Sequence, residues 1–313
     1  MTAYTLAAVL RSSRALRVVA WGAVAVGVAA PLVRHRLRLR VPVVTALSFQ
    51  APVALALATP RTRVRDAGIY AVQMWAYYAH YDMPDDDPAR LLARTRVGYP
   101  VRIDRGLGGG ELPTVRLQRA LGTPGTVRPH DLALSWVHWI WFLFPHGTLA
   151  YILWRHPERF PRSACLTAAT FDLGLVAYWA VPTAPPWYAA ETGRMPPVRR
   201  IMVESGERFW KGLWHPLYDS LEGNPFAAMP SLHFGSSVMA ACVLSQLGRG
   251  PEAIAWTYAL TLGFGLVYLG EHYVIDLIGG FVLAEVVSQA APHARPAVLA
   301  AARRIQRLEP RAA

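Results

Sequence analysis

The sequence predicts an all-α integral membrane protein, and two features carry that prediction. Of its 313 residues, 53% are hydrophobic and only 17% are charged, whereas a soluble protein usually carries about 25% charged residues. The hydrophobic residues also gather in seven long blocks, and runs of roughly 18 or more apolar residues are typical of membrane-spanning helices. Seven such blocks in one chain disfavour the alternative, a large soluble bundle of buried helices.

The seven predicted helices follow one another along the chain. They are Ala15–Val33, Val41–Pro60, Leu132–Trp154, Ser163–Trp187, Ser231–Leu247, Ala253–Gly270 and His272–Ala290. The first resembles a signal peptide because arginines precede it, but it has no convincing small-residue cleavage site and the basic stretch RHRLRLR follows it. We therefore interpret it as a retained helix. Cys165 and Cys242 lie inside apolar blocks and give no disulfide framework.

These blocks divide the chain into four parts. Residues 1–60 hold two N-terminal membrane helices, 61–131 form an exoplasmic or interfacial loop region, 132–290 form a catalytic membrane core, and 291–313 form a basic amphipathic tail. Within the loop region, the uncharged stretch Gly68–His80 is too short to span and is rich in Tyr and Trp. That composition is typical of a helix at headgroup level.

The distribution of arginine predicts the orientation in the membrane. Alternation through seven helices places 34–40, 155–162, the turn with Arg249 and the tail on one face, which the positive-inside rule assigns to the cytoplasm. The loops 61–131 and 188–230 then lie on the exoplasmic face. The eleven arginines of loop 61–131 conflict with this, although long loops follow the rule poorly. The net charge of +12 favours anionic lipid headgroups, not nucleic acid, as its partner.

Ionisable residues inside predicted membrane helices are functional candidates. His272 and Asp276 are four residues apart, so they share one helix face. His233 begins the fifth helix at the same predicted membrane face. Asp172 lies in the middle of the fourth helix, where it could instead make a structural hydrogen bond.

Two histidines and an aspartate suit a double displacement at phosphorus through a phosphohistidine. A carboxylate on one imidazole nitrogen fixes the tautomer and makes the other nitrogen a better nucleophile. A second histidine can protonate the leaving group. Free N–H groups at Pro230–Leu232, including that of Ser231, would bind the anion at a helix start. This chemistry needs no metal and no cofactor.

Each candidate also has a structural interpretation. His233 alone could be a headgroup-level side chain, and the His272–Asp276 pair could be a structural clamp. His138, about two turns into its helix, could line the site or simply pack. Glu271 could assist an acceptor hydroxyl or be a solvated carboxylate at the rim.

Three motifs together resemble the phosphatidic acid phosphatase type 2 superfamily. They are AAMPSLH, YLGEHYVIDLIGG and the PTAPPWY turn at Pro182–Tyr188. The turn is similar to that of the inositol phosphorylceramide synthase branch, and the resemblance covers about residues 130–290. It implies a six-helix bundle, to which this chain adds one N-terminal helix. It also implies that His272 is the nucleophile, Asp276 its orienting partner and His233 the acid.

The sequence departs from the phosphatase pattern of this superfamily in two places. Those enzymes carry an arginine six residues before the nucleophile, where this chain has Leu266, and a Lys…Arg-Pro motif that the APPW turn replaces. The synthase branch shares both departures. Arg200 is therefore the first candidate for binding phosphate oxygens, because the branch has a similarly placed arginine, and Lys211 is the second.

The resemblance implies a metal-independent lipid phosphotransferase in a membrane, expected to be the plasma membrane of a bacterium, with its site on the exoplasmic face. Its partners would be a lipid phosphate donor and an alcohol or lipid acceptor. Three alternatives stay open. They are a lipid or polyprenyl phosphate phosphatase, a metal-dependent hydrolase that uses His233, His272 and Asp276 as ligands, and a transporter whose path includes Asp172.

Overall fold

The computed structural model describes residues 14–221 and 223–309, and regular structure in these ranges is helical. No strand occurs there, and only three isolated β-bridges are present. The α-helices are α1 Arg14–Val33, α2 Val41–Ala58, α3 Arg63–Asp82, α4 Pro88–Arg94, α5 Gly98–Leu107, α6 Pro113–Leu121, α7 Pro129–Trp139, α8 Leu143–Arg155, α9 Phe160–Ala180, α10 Pro186–Glu191, α11 Ile201–Trp210, α12 Trp214–Leu221, α13 Leu232–Ser245, α14 Arg249–Tyr268 and α15 Val274–Gln306. The predicted all-α membrane fold is confirmed.

Four helices of the described ranges are long and apolar enough to cross a membrane. They are α1, α2, α9 and α15. Helix α13 is apolar but has only 14 residues, and α14 has 20. Length and composition thus support several membrane crossings. The four helices that meet both criteria are fewer than the seven predicted from the apolar blocks.

The predicted helix Leu132–Trp154 is wrong as one continuous element. Helix α7 ends at Trp139 and α8 begins at Leu143. Pro145 lies in the first turn of α8, where its missing N–H is tolerated, and a continuous helix would need that N–H for a bond to Trp141. The apolar block therefore folds as two shorter helices joined by a turn.

Region 61–131 is largely helical, containing α3 to α6. The predicted headgroup-level helix Gly68–His80 is the middle of α3. At the other end of the chain, α15 runs without interruption past the predicted boundary at residue 290, so the helix expected in the tail continues the last apolar helix.

The first compact unit includes residues 14–80, 151–168 and 289–309. Within it α1 and α2 form a tight hairpin. Gln50 Nε2 donates to the Ala23 carbonyl at 2.8 Å, and a Cβ on Gly27 would lie 2.7 Å from Ala51 Cβ. Glycine at position 27 therefore permits the close approach of the two helices.

The second unit includes residues 81–150 and 169–288 and holds every candidate residue of the site. Helices α13 and α15 cross here at two glycines. A Cβ on Gly235 would lie 2.8 Å from the Gly280 carbonyl oxygen. A hydrogen bond of 2.9 Å from the Ser231 N–H to the Asp276 carbonyl also joins the starts of these helices. This close crossing places the N-terminal turns of α13 and α15 side by side.

Candidate active site

The structure brings His233 and His272 into direct contact. His233 is the second residue of α13, and His272 lies two residues before α15 begins, so the predicted start of that helix at His272 is corrected to Val274. His233 Nδ1 is 3.1 Å from His272 Nε2. His272 is only 4% exposed, so this contact is shielded from solvent.

Asp276 binds the other ring nitrogen of His272. The distance from His272 Nδ1 to Asp276 Oδ2 is 3.3 Å, and the same oxygen accepts the Tyr273 N–H at 2.9 Å. Asp276 is fully buried. Because a carboxylate accepts, the bonding network assigns the proton of His272 to Nδ1. The Nε2 lone pair then faces His233.

Internal hydrogen bonds hold the segment before α13. The Ser231 N–H donates to Asp276 O at 2.9 Å, and the Leu232 N–H to the Tyr178 hydroxyl at 3.3 Å. The Ser231 hydroxyl is the N-cap of α13 and accepts the Phe234 N–H at 3.3 Å. The predicted free N–H groups at Ser231 and Leu232 are therefore occupied. Ser231 ties α13 to α15 in this structure, and its role as a phosphate ligand stays a prediction.

His138 joins the histidine pair. Its ring centroid is 4.9 Å from that of His233, and its Nδ1 is buried without a hydrogen-bond partner. Trp141, in the turn between α7 and α8, lies 4.2 Å from the His233 ring and donates to the Ser236 hydroxyl at 3.1 Å. The break in the predicted third helix thus supplies one wall of the site.

Arg200 is held against the APPW turn. Its guanidinium carbon lies 3.8 Å from the Trp187 ring centroid, and one terminal nitrogen donates to the Tyr218 hydroxyl at 2.9 Å. The next residue, Ile201, donates its N–H to the Leu269 carbonyl at 3.3 Å. The segment with Arg200 is therefore attached three residues before His272, while Arg200 Nε is buried without a hydrogen-bond partner.

Lys211, Glu271 and Asp172 take different positions. The Lys211 side chain is exposed in a short 3₁₀ turn, and no hydrogen bond or ion pair of the described residues joins it to the histidines. Glu271 is half-buried beside His272, with its N–H bonded to Leu266 O at 3.0 Å. Asp172 is half-buried in the middle of α9. Of the three, Glu271 is placed at the site by its position in the chain.

Two polar residues of region 61–131 support the site, and sequence reasoning missed both. Asp104 in α5 is fully buried and accepts the N–H groups of Val274 and Ile275 at 3.0 and 2.9 Å. Gln118 in α6 donates to the carbonyls of Arg199 and Tyr268, each at 2.9 Å, and accepts the Arg199 N–H at 2.8 Å. An acidic residue three positions after Val101, on the buried face of α5, was the available signal.

Burial raises the pKa of the Asp104 carboxyl above its ordinary value, the two N–H bonds from α15 oppose that shift, and the nearby Asp276 adds to it. The two N–H donors at the start of α15 therefore stabilise the charged form of the buried Asp104 carboxylate.

For the metal-ligand alternative, His272 would have to turn one ring nitrogen away from a protein group. Both of its ring nitrogens already face protein groups, Asp276 on one side and His233 on the other. In the part of the chain that the structure describes, no group of three or more His, Cys, Asp or Glu side chains is arranged to hold a metal ion. The geometry instead leaves an oriented imidazole nitrogen beside a second imidazole.

The sequence profile of the PAP2 superfamily matches residues 101–290. The chain belongs to the PAP2 superfamily. The matched range starts earlier than the region of resemblance found from the motifs and includes α5 and α6, so the PAP2 match takes in Asp104 and Gln118 as well as the two histidines.

Several curated proteins are similar to this PAP2 chain. It is 33% identical over 158 residues to inositol phosphorylceramide synthase of Candida albicans. The aligned region covers 48% of this chain and 34% of that protein. It is 31% identical over 115 residues to phosphoinositol dihydroceramide synthase of Bacteroides thetaiotaomicron, covering 34% and 37% respectively. The matches therefore span about a third of each relative. No solved structure matches the chain.

Proposed function

We propose that this protein is a membrane-embedded lipid phosphotransferase that moves a phospho-headgroup, of the inositol-phosphate kind, from a lipid donor to an alcohol acceptor. The observation that carries the proposal is the continuous series Asp276–His272–His233, with contacts of 3.3 and 3.1 Å. In this series one histidine has an available nitrogen lone pair and the other has a proton directed toward it.

In the first half-reaction, His272 Nε2 attacks the phosphorus of the donor and a P–N bond forms. The bond between phosphorus and the lipid oxygen breaks, and His233, which enters the reaction as the imidazolium, gives its Nδ1 proton to the departing oxygen and becomes neutral. The imidazole of His272 becomes positively charged, and Asp276 stabilises that charge through the Nδ1–H bond. The donor phosphate has to separate the two histidine rings as it enters, since their nitrogens are in contact.

In the second half-reaction, the acceptor hydroxyl attacks the same phosphorus. His233 Nδ1, now without its proton, takes the hydroxyl proton, the new P–O bond forms and the P–N bond breaks. Both histidines return to their starting state. Water in place of the alcohol would give hydrolysis by the same steps, which is the phosphatase alternative.

Arg200 is proposed to bind the phosphate oxygens. The guanidinium is already oriented by Trp187 and Tyr218, and its Nε–H lacks a hydrogen-bond partner. A pre-oriented arginine stabilises the charge of a phosphoryl transition state without reorganisation. Lys211, which is exposed, is the second candidate and would contribute a point charge only.

The inositol-phosphate headgroup rests on the relatives, whose names describe synthases of inositol phosphorylceramide and phosphoinositol dihydroceramide. Those names also support a lipid alcohol as the acceptor. The exoplasmic placement of the site rests on the arginine distribution, and a bacterial plasma membrane is the expected location.

The test is product analysis with purified protein in vesicles that contain phosphatidylinositol with a labelled headgroup. With a ceramide acceptor, we expect the label on the ceramide and release of the donor's diacylglycerol. Free inositol phosphate as the main product, with or without acceptor, would favour the phosphatase instead. No turnover of any lipid phosphate would contradict both enzymes and favour the transporter.

Two controls accompany this assay. His293→Ala changes an exposed histidine of α15 and should leave turnover unchanged, whereas His272→Ala should abolish it. A chelator should leave the wild-type rate unchanged, because no step above uses a metal. Activity that disappears with chelator and returns with zinc would favour the metal-dependent alternative.

A further inference from the structure

The first turn of α15 is held by a residue that is 170 positions away in the chain. Asp104 Oδ2 accepts the Val274 N–H at 3.0 Å, and Oδ1 accepts the Ile275 N–H at 2.9 Å. The first N–H groups of a helix have no partner within it, and here a buried carboxylate supplies one for each. We propose that Asp104 is a positioning residue for the transfer reaction, which keeps Asp276 available to His272. The inference rests on the proposed role of His272.

Helix α5 presents Asp104 to this turn through its apolar face. Val101, three residues before Asp104, packs in one buried cluster with Tyr273, which directly follows His272. Residues three apart lie on the same side of a helix. Because Val101 and Tyr273 share this cluster, Asp104 lies beside the next two residues, Val274 and Ile275, whose N–H groups it accepts.

Without Asp104, the N–H groups of the half-buried Val274 and Ile275 would need another acceptor, since leaving them unpaired is unfavourable. The nearest carboxylate on the same turn is that of Asp276, whose Oδ2 already accepts the Tyr273 N–H and contacts His272. A carboxylate drawn to the backbone would be a poorer partner for His272 Nδ1. Asp104 thus removes a competitor for the group that orients the nucleophile.

The carboxylate has two acceptor oxygens, and this explains why the site uses aspartate. Asparagine keeps one acceptor but turns a donor toward the second N–H, and alanine offers neither. We therefore expect a graded series, with aspartate best, asparagine intermediate and alanine worst. A negative charge at the helix N-terminus adds a favourable interaction that both substitutions remove.

The experiment compares Asp104→Asn and Asp104→Ala with Asp87→Asn. Asp87 is the matched control, because it caps α4 by accepting the Arg90 N–H at 3.1 Å and is exposed. Hydrogen exchange of the 272–280 peptide and steady-state kinetics are measured on full-length protein. We expect the amides of Val274 and Ile275 to exchange about tenfold faster in the Asp104 variants.

Kinetically, we expect kcat on the lipid phosphate donor to fall about 10- to 100-fold in Asp104→Asn while KM stays within about twofold, since orientation and not binding is lost. Asp87→Asn should match wild type in both measurements. Should Asp104→Ala not fold, Asp104→Asn still decides the question.

Wild-type exchange or wild-type kcat in Asp104→Asn would overturn the proposal. So would a rise in KM at constant kcat, because that is the behaviour of a substrate contact. If the wild-type protein turned over no lipid phosphate, the proposed function itself would be wrong. Asp104 could then have no positioning role in transfer. Faster exchange in that case would leave Asp104 as a helix cap only.

Discussion

His233 Nδ1 lies 3.1 Å from His272 Nε2, although the two residues are 39 positions apart in the chain. Asp276 contacts the other ring nitrogen of His272. The three side chains therefore form one hydrogen-bonded series that runs from the carboxylate through His272 to His233. The proton of His233 points toward the nitrogen that is proposed to attack phosphorus. In the proposed mechanism, the ring that contacts the carboxylate is the nucleophile and the other ring is the acid.

His233→Gln should slow transfer from a lipid donor about 10²- to 10⁴-fold, because the leaving alkoxide loses its proton donor. A donor with a p-nitrophenol leaving group needs no such proton, so the variant should lose much less activity on it. The measurement is the ratio of kcat/KM for the two donors. Equal losses on both donors would show that His233 does not act as the acid.

Asp276→Asn should lower kcat by about 10²- to 10⁴-fold, because an amide can hold His272 in the wrong tautomer. The Ser231 N–H bond to the Asp276 carbonyl and the two N–H bonds to Asp104 do not use this side chain, so the helix start should persist. Thermal unfolding in detergent checks that point. A variant with wild-type kcat would remove Asp276 from the mechanism.

Arg200→Lys should raise KM for the donor and lower kcat together, about 10- to 100-fold in kcat/KM, because lysine lacks the planar group that stacks on Trp187. Lys211→Ala is the matched comparison, and it should change kcat/KM less than Arg200→Lys does. The reverse order would make Lys211 the phosphate ligand and leave Arg200 a structural residue.

A cysteine at Gly212, an exposed position between α11 and α12, tests the orientation. In a variant without Cys165 and Cys242, an impermeant thiol reagent should label Gly212→Cys in intact cells. The matched position is Gly250, exposed at the start of α14 on the predicted cytoplasmic face. Labelling of Gly250→Cys alone would place the site on the cytoplasmic side.

Much of the fold and the centre of the site follow from sequence because their signals are local. Apolar blocks predict helices, and the spacing of His272 and Asp276 places them together. The break between α7 and α8 was missed because the block is apolar throughout, and that pattern outweighed the helix-start signal of Pro145. Asp104 and Gln118 were missed because their partners are backbone groups that lie far away in the chain. The hydrogen bond from the Ser231 N–H to the Asp276 carbonyl could not be foreseen, because only the packing of α13 on α15 creates that contact.

The proposed mechanism forms a covalent intermediate on His272, and trapping that intermediate is the decisive experiment. Wild-type protein is mixed with labelled phosphatidylinositol without acceptor, quenched in alkali, which preserves phosphoramidates, and analysed by peptide mass spectrometry. We expect the phosphoinositol group on His272, and its loss when acceptor is added before the quench. Turnover without any adduct, or an adduct on another residue, would contradict the account.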